Sequence, residues 1–423
     1  MRKASRHFAA AGLLIAIAGC SVPRPEPIAA NTRCNLVRTV LDVNADGGAA
    51  GADALKASYG AILSAQPPGP DAGALTAGGG FEHLVLSGGG QHGAFGSGFL
   101  VGMGEQLPDY DVVTGVSTGA LQAPLALLGM KTAPGDRILK PEDDFSPEAG
   151  DADRPNIDDL VSGYTITTEK TLYNSHGTAG VIRRARMGDL DPLRRRLNLM
   201  ITDQTMVDLA KIDPAKKQLF MLILNWDTGN AEQVDMLDLA RRFERGETRA
   251  RACFIDVMIA ASSEPLGTPP VLIDDHLYVD AGLRFGVFAR AAIDAGNAVA
   301  ANRAALGGDK RLQAFGAHTD IIRNGDMKVR TEAPAKYSAL DVVNRARVIL
   351  VNQVYLFSID EVLERAAPDH QVRLAFITPE EMADGPPAKG AQFDPAYMKR
   401  MIAVGKARGQ AGAWNRVLPE VVR

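Results

Sequence analysis

The chain has 423 residues, of which 46% are hydrophobic and 23% are charged, a composition typical of a globular protein with one large domain or two small ones. Its formal net charge is −4 and it has no RNA-binding motif, so we expect no nucleic-acid partner. The sequence contains no cluster of metal-ligating residues, and we expect neither a metal nor another cofactor.

The first nineteen residues have the organisation of a secretory signal. Three basic residues precede an apolar run over Phe8–Ala18, which is too short to span a bilayer as a helix. The run ends in Gly19-Cys20, an ending that resembles a bacterial lipoprotein signal, with cleavage before the cysteine and lipid on it. We therefore predict a signal peptide over 1–19, lipidation of Cys20 and anchoring in the bacterial cell envelope, at the outer membrane. A plain secretory signal with a chance cysteine is the alternative.

Residues 20–80 are predicted to form a lipidated tether and linker, because proline-rich and glycine-rich stretches surround a single weak helical pattern. The main domain is predicted over 81–415. Cys34 lies in the linker and Cys253 lies in an apolar run of the domain. That apolar setting favours two free thiols, although an oxidising compartment permits a disulfide between them.

Four alternating elements open the domain. Leu84–Leu86 and Val112–Val116 are apolar runs typical of buried strands, and Ala94–Leu107 and Thr118–Leu128 have helical patterns. This alternation predicts an α/β fold, with a mostly parallel sheet flanked by helices in a single large domain. The other predicted elements are a strand over 218–226, a helix over 256–262, a strand over 277–279 that ends in Asp280, a helix over 339–366 that belongs to the core rather than to a membrane, and a last strand over 374–377.

The segment 131–163 is predicted to be an irregular insertion after the helix at 118–128. It contains four prolines, and its nine acidic residues outnumber its four basic ones. The favoured interpretation is a solvated acidic loop. A lid over an active site stays open as the alternative.

Two glycine-rich turns stand at the ends of the first two strands. Gly115-Val116-Ser117-Thr118-Gly119 matches the G-x-S-x-G nucleophile elbow, in which Gly115 and Gly119 let a serine sit on a strained strand-to-helix turn. Gly88, Gly89 and Gly90 follow the preceding strand, and their N–H groups are predicted to form an oxyanion hole. A serine hydroxyl also needs a base to become a nucleophile.

The glycine loop has a second interpretation. Gly88-x-Gly90-x-x-Gly93 fits the dinucleotide-binding fingerprint, which expects an acidic residue at the end of the next strand. Ser117 stands there instead, so nucleotide binding is disfavoured. A Ser–Asp–His triad is disfavoured too, because none of the seven histidines has a distinctive context and the two turns lie closer together than in α/β-hydrolases.

Three elements together resemble the patatin-like phospholipase family: the loop over 88–93, the elbow over 115–119 and Asp280-Ala281-Gly282. The resemblance covers about residues 82–290. It implies a Ser–Asp dyad without histidine, in which Ser117 is the nucleophile, Asp280 is the base and the glycines at 88–90 form the oxyanion hole. It also implies a serine lipid acyl hydrolase, of phospholipase A, lysophospholipase or esterase type, that acts on lipid or ester substrates through an acyl-enzyme.

Two positions depart from the family pattern. His92 stands where the family often has arginine or lysine, and Leu283–Gly286 stands where an Asn-x-Pro often follows the catalytic aspartate. Asp274 and Asp275 are interpreted as a hairpin turn rather than as rival bases. An acyltransferase with the same dyad, and a weakly catalytic envelope lipoprotein that acts as a binding module, stay open as alternative functions.

Overall fold

The computed structural model describes residues 23–26, 29, 32–41, 81–137, 153–177, 186–265, 267–294, 297, 317–329, 331, 336–366, 370–383, 387 and 392–415. The predicted signal peptide, Cys20, most of the predicted linker and the middle of the 131–163 segment lie outside these residues.

The strands are β1 (Arg38–Val40), β2 (Phe81–Leu86), β3 (Val112–Val116), β4 (Asn174–Ser175), β5 (Gly188–Asp189), β6 (Gln218–Asn225), β7 (Ala231–Asp235), β8 (Val271–Ile273), β9 (His276–Asp280), β10 (Ala317–Arg323) and β11 (His370–Phe376). The α-helices are α1 (Gly93–Met103), α2 (Thr118–Leu128), α3 (Asp159–Tyr164), α4 (Asp191–Met200), α5 (Asp203–Ala210), α6 (Met236–Glu244), α7 (Arg249–Ala261), α8 (Ala339–Arg365), α9 (Pro379–Ala383) and α10 (Pro395–Gln410).

Nine strands form one mixed, mostly parallel sheet. Its main path runs β1-β7-β6-β3-β2-β10-β11, with β9 paired to β6 and β8 paired to β9. The five strands from β6 to β11 along this path are parallel. Their apolar sequences are buried because helices cover parallel sheets on both faces. The predicted α/β fold with a mostly parallel sheet is therefore confirmed, and antiparallel strands extend it at the β6 side.

Most predicted elements occur where the sequence placed them. The bounds of β3 and α2 match the prediction, and the Asp274-Asp275 hairpin turn joins β8 to β9, with positive φ at both residues. α7 begins at Arg249 instead of Asp256, because its first turns carry basic residues that an apolar pattern does not reveal. β10 was not predicted at all.

Two strands meet end to end along one edge of β6. β7 occupies the opposite edge. On the shared edge, β3 pairs with β6 as far as Val116 opposite Leu222. β9 takes over at the next β6 residue, with Asp280 opposite Ile223. Because adjacent residues of a strand are only about 3.4 Å apart, the last residue of β9 abuts the end of β3.

The described ends of the 131–163 segment are packed into the domain. Arg137 and Asp159 are both buried and form an ion pair with an Nη1–Oδ2 distance of 2.9 Å. Arg154 donates to the other carboxylate oxygen of Asp159 at 2.7 Å. For these ends, the prediction of a solvated acidic loop is wrong, because the carboxylate is neutralised inside the protein. The segment 138–152 lies outside the described residues.

Cys34 and Cys253 form a disulfide with an S–S distance of 2.08 Å, so the prediction of two free thiols is wrong. Cys253 is buried in α7 as expected. Cys34 reaches it because β1 adds to the sheet beside β7. The Asp274 carboxylate also accepts hydrogen bonds from the backbone N–H groups of Cys34 and Leu36. These contacts join residues far apart in sequence, which a local pattern does not show.

α8 has two different halves. Its C-terminal half packs on the sheet through Leu356, Ile359 and Val362, which are buried with residues of β10 and β11. In the stretch 341–353 no residue is buried, so the predicted core helix is a core element only at its C-terminal end. Within the described part of the chain, no helix has a stretch long and apolar enough to span a membrane.

Candidate active site

Ser117 sits on a sharp turn between β3 and α2. Its backbone has φ 53° and ψ −126°, a strained combination for a residue with a side chain. The flanking glycines permit the turn. A Cβ at Gly119 would collide with the carbonyl oxygen of Leu86, and a Cβ at Gly115 would lie 2.7 Å from the nitrogen of Ala120. The G-x-S-x-G pattern thus reflects close contact between strand, turn and helix.

Asp280 lies beside Ser117 because β9 abuts the end of β3. The Ser117 hydroxyl faces the Asp280 carboxyl group closely enough to lower its pKa. The N–H of Gly282 donates to Oδ1 of Asp280 at 2.7 Å, which orients the carboxyl group. Both side chains are largely withdrawn from solvent, with 8% of Ser117 and 7% of Asp280 exposed. The structure therefore brings together the two residues at which the sequence predicted a dyad.

Burial changes the acidity of Asp280. Desolvation raises its pKa from 3.8 to about 6, and the hydrogen bonds from Ser117 and Gly282 oppose this shift. Both of these donors are neutral, so neither stabilises the carboxylate as strongly as a full positive charge would. At neutral pH the group is mainly ionised and is a stronger base than an ordinary aspartate.

The glycine loop passes over Ser117 between β2 and α1. A Cβ at Gly88 would lie 2.8 Å from the Cβ of Ser117, so no larger residue fits there. Gly89 and Gly90 line the cavity above Ser117. Among the described residues, no acceptor takes a hydrogen bond from the N–H groups of these three glycines. Uncommitted backbone donors at such a place suit a developing oxyanion.

The end of β10 holds the glycine loop in place. Arg323 donates from Nη1 to the carbonyl oxygen of Gly88 at 2.9 Å. The side chain of Asn324 donates to the carbonyl oxygen of Ser87 at 2.8 Å, and its backbone N–H donates to the Ser87 hydroxyl at 2.9 Å. Because a peptide group is planar, fixing the Gly88 carbonyl also fixes the direction of the N–H of Gly89.

Tyr355 of α8 closes the site from another side. The guanidinium group of Arg323 lies over the Tyr355 ring, 4.1 Å from the ring centre. Its hydroxyl reaches the space next to Gly282, where a built Cβ would be 3.0 Å away. Burial and the negative charge of Asp280 raise the pKa of Tyr355, so the phenol stays protonated. Arg323, Asn324 and Tyr355 were not predicted as site residues, because no strand was predicted at β10 and α8 was interpreted as a core helix.

A cavity of about 470 Å³ opens above Ser117 and Asp280. Much of its lining is apolar, which suits a hydrocarbon chain. The apolar lining residues include Leu121, Leu172, Leu193, Leu197, Met200, Val348, Val351 and Met382. Helices α1 and α2 both begin at this cavity, so their positive N-terminal ends lie near Ser117.

Of the described histidines, His92 alone lines this cavity. Its Nδ1 is 2.6 Å from the hydroxyl of Tyr397. His83 lies inside the sheet, next to Thr114, and burial lowers its pKa to about 3. The side chain that contacts the hydroxyl of Ser117 as a base is therefore a carboxyl group.

A family model described as Patatin-like phospholipase matches residues 84–293. This range contains the glycine loop, the elbow and Asp280. No curated protein matches the chain. VipD from Legionella pneumophila is a similar solved structure: the match has 12% identity and a TM-score of 0.29, and it covers 80% of this chain and 68% of that one.

The raised pKa of Asp280 predicts a cost in stability at neutral pH. Between pH 3.8 and about 6, the folded chain keeps a proton that the unfolded chain releases, so this contribution to stability is present at low pH and is lost as pH rises through 6. Asp280→Asn removes the charge and keeps the shape. We expect it to gain roughly 3 kcal/mol over the parent between pH 4 and pH 8, measured by thermal or urea unfolding. Glu105→Gln, at an exposed carboxylate, is the control. A difference in unfolding free energy between Asp280→Asn and the parent that stays constant with pH would contradict the prediction.

Proposed function

We propose that this chain, whose residues 84–293 match the patatin-like phospholipase family model, hydrolyses carboxylic esters of lipids through a dyad of Ser117 and Asp280. The observation that carries the proposal is that the Ser117 hydroxyl faces a buried, unusually basic carboxylate at the floor of an apolar cavity. The family match supports lipid acyl hydrolysis in general, and the dyad is our assignment.

In the proposed reaction, Asp280 takes the proton of Ser117 as the oxygen attacks the ester carbonyl. The carbonyl oxygen gains negative charge next to the N–H groups of Gly89 and Gly90, with Gly88 behind them, and the N-terminal ends of α1 and α2 favour that charge. Asp280 then returns the proton to the leaving alcohol. Water then attacks the acyl-enzyme and loses a proton to Asp280, which passes it to the departing Ser117 oxygen as the fatty acid is released.

The cavity favours an ester with at least one hydrocarbon chain. Its apolar side is built by α4 residues Leu193, Leu197 and Met200 together with Leu121 of α2. These side chains offer no hydrogen bonds, so they bind by excluding water. Phospholipase A, lysophospholipase and esterase activities all fit this arrangement, and an acyltransferase would share the same acyl-enzyme.

We expect Ser117→Ala and Asp280→Asn each to lower kcat/KM for a short-chain aryl ester by at least about a thousandfold, because each removes one half of the proton transfer. Ser117→Ala should also abolish labelling by a fluorophosphonate. His92→Ala is the matched control at the cavity wall and should retain activity within about tenfold. Activity that survives both dyad substitutions would exclude the mechanism. In the parent, kcat/KM should fall as pH drops below about 6, where Asp280 becomes protonated.

Arg323 is proposed to act on the oxyanion hole through Gly88. Arg323→Met should lower kcat by about 10- to 100-fold with little change in KM, because the substrate cavity remains while the N–H of Gly89 loses its fixed direction. Arg323→Lys should recover part of the loss. Arg290→Met, at an exposed arginine, is the control. A change in KM alone would show that Arg323 serves substrate binding instead.

We also propose that Cys20 is lipidated and anchors the domain to a membrane of the bacterial envelope. The disulfide between Cys34 and Cys253 supports this location, because such bonds persist in oxidising compartments. The anchor would be short. Arg24 binds the carboxylate of Asp227 through two hydrogen bonds of 2.6 and 2.7 Å, only four residues after Cys20. Four residues span at most about 14 Å.

Cys20→Ser should move the protein from the membrane fraction to the released fraction and abolish labelling by a palmitate analogue, because one cysteine carries all the lipid. Ser21→Ala, next to it, should leave both unchanged. The measurement is fractionation of cells followed by immunoblotting. Unchanged membrane association and labelling in Cys20→Ser would disprove the anchor.

A further inference from the structure

The N-terminal half of α8 carries the main apolar surface of the described chain. Seven of its eleven exposed large hydrophobic residues lie between Tyr337 and Phe357. Five of them, which we call the α8 face, are Val342, Val343, Ile349, Leu350 and Phe357. Leu350 is 67% exposed and Phe357 is 65% exposed. Residues seven apart lie on the same side of a helix, so this spacing forms one continuous stripe.

This half of α8 lies at the surface of the domain, with one side along the cavity and Arg347 paired with Glu264. The thirteen residues from 341 to 353 extend for about 20 Å at the rise of an α-helix, and none of them is buried. The helix is nevertheless firmly held, because its other half packs on the sheet. Exposed apolar patches of this size mark binding surfaces in folded proteins.

The α8 face and the active-site cavity lie on opposite sides of α8. Val348, Val351 and Tyr355, on the side turned away from the stripe, line the cavity that contains Ser117. Val348 is also 37% exposed, so this part of α8 forms the rim of the cavity. A partner that surrounds this half of α8 therefore contacts the rim.

Charge is distributed in a way that suits phosphate groups. Over 336–357 the basic residues Lys336, Arg345 and Arg347 outnumber the single acid, Asp341, and Arg347 is paired with Glu264. Acidic residues are concentrated further along, at 360, 361 and 364, where the helix meets the domain. A cationic, apolar segment is attracted to the head groups and the acyl boundary of a phospholipid layer.

The proposed lipid anchor approaches the same end of the sheet. Asp227, which holds Arg24, follows the carboxyl end of β6, and Ser117 follows the carboxyl end of β3. Because β3 and β6 are parallel neighbours, both ends lie on one side of the molecule. A bilayer that holds Cys20 therefore lies on the side where the cavity opens.

We propose that the α8 face is a docking surface for a phospholipid bilayer, from which the ester substrate passes directly into the cavity. The proposal rests on the proposed lipid hydrolysis for its choice of partner. A second copy of the chain seated on this face would cover the entrance, whereas a lipid layer is the source of the substrate. Val342, Val343, Ile349, Leu350 and Phe357 enter the acyl boundary, and the exposed Lys336 stays at the level of the phosphates.

The test places a fluorescent probe at the surface. Leu350→Trp and, as a matched control, Met130→Trp are made in the full chain with Ser117→Ala, so that no lipid is consumed. Met130 is also exposed, and it follows the end of α2 that is farther from Ser117. That helix is about 16 Å long. Vesicles of phosphatidylcholine and phosphatidylglycerol with brominated acyl chains should quench the probe at 350 at least threefold more than the probe at 130. Equal quenching would overturn the proposal.

A second measurement separates docking from chemistry. Leu350→Asp with Phe357→Asp, in the active chain, should lower hydrolysis of vesicle phospholipid at least tenfold and leave hydrolysis of a soluble short-chain ester within twofold. Equal loss of activity on both substrates would overturn the docking surface. It would also be overturned if analytical ultracentrifugation showed that the double variant converts a dimer of the parent to a monomer. If the probe at 350 is quenched but the active chain hydrolyses neither substrate, docking is supported and the proposed hydrolysis is refuted.

Discussion

The geometry of the site depends on how β6 divides one of its edges between two strands. β3 pairs with the first part of β6 and β9 pairs with the remainder, in opposite directions. Their ends meet, and each end carries one half of the candidate dyad. A shift of β9 by one residue would turn the Asp280 side chain to the other face of the sheet and separate it from Ser117. The close approach of the two residues is therefore a consequence of strand register.

That register also gives the proposed carboxylate base its surroundings. Asp280 is enclosed by the sheet, the glycine loop and Tyr355, and the loss of water raises its pKa to about 6. A histidine in water has a similar pKa, so burial gives the aspartate a comparable basicity. The enclosure is completed from elsewhere in the chain, by Arg323 on β10 and by Tyr355 on α8. These contacts come from beyond residue 293, where the family match ends.

α8 contributes both to the candidate active site and to the exposed surface of the protein. Its packed half places Tyr355 beside the candidate dyad, and its other half exposes an apolar stripe on the side turned away from the cavity. The same arrangement explains why sequence reading treated the whole helix as core. A run of apolar residues has the same composition whether it faces the interior or a lipid layer. Only its place on the sheet distinguishes the two.

Local sequence patterns were sufficient to predict the features that arise within a few residues. The mostly parallel sheet, the bounds of β3 and α2 and the glycine turns around Ser117 follow from local apolar runs and from backbone conformations that require glycine. Asp280 was assigned only through its resemblance to a family motif, since its residue type alone did not distinguish it. β10 escaped prediction because Asp320, in its centre, looks incompatible with a buried strand. The structure neutralises it with Arg373, at 2.6 Å.

The features that join distant parts of the chain depend on the tertiary structure. These include the disulfide from Cys34 to Cys253, the support of the glycine loop by Arg323, and the division of α8 into a buried and an exposed half. The physical reason is common to all three. Burial, ion pairing and disulfide formation depend on which residues are neighbours in space, and a local pattern records only neighbours along the chain.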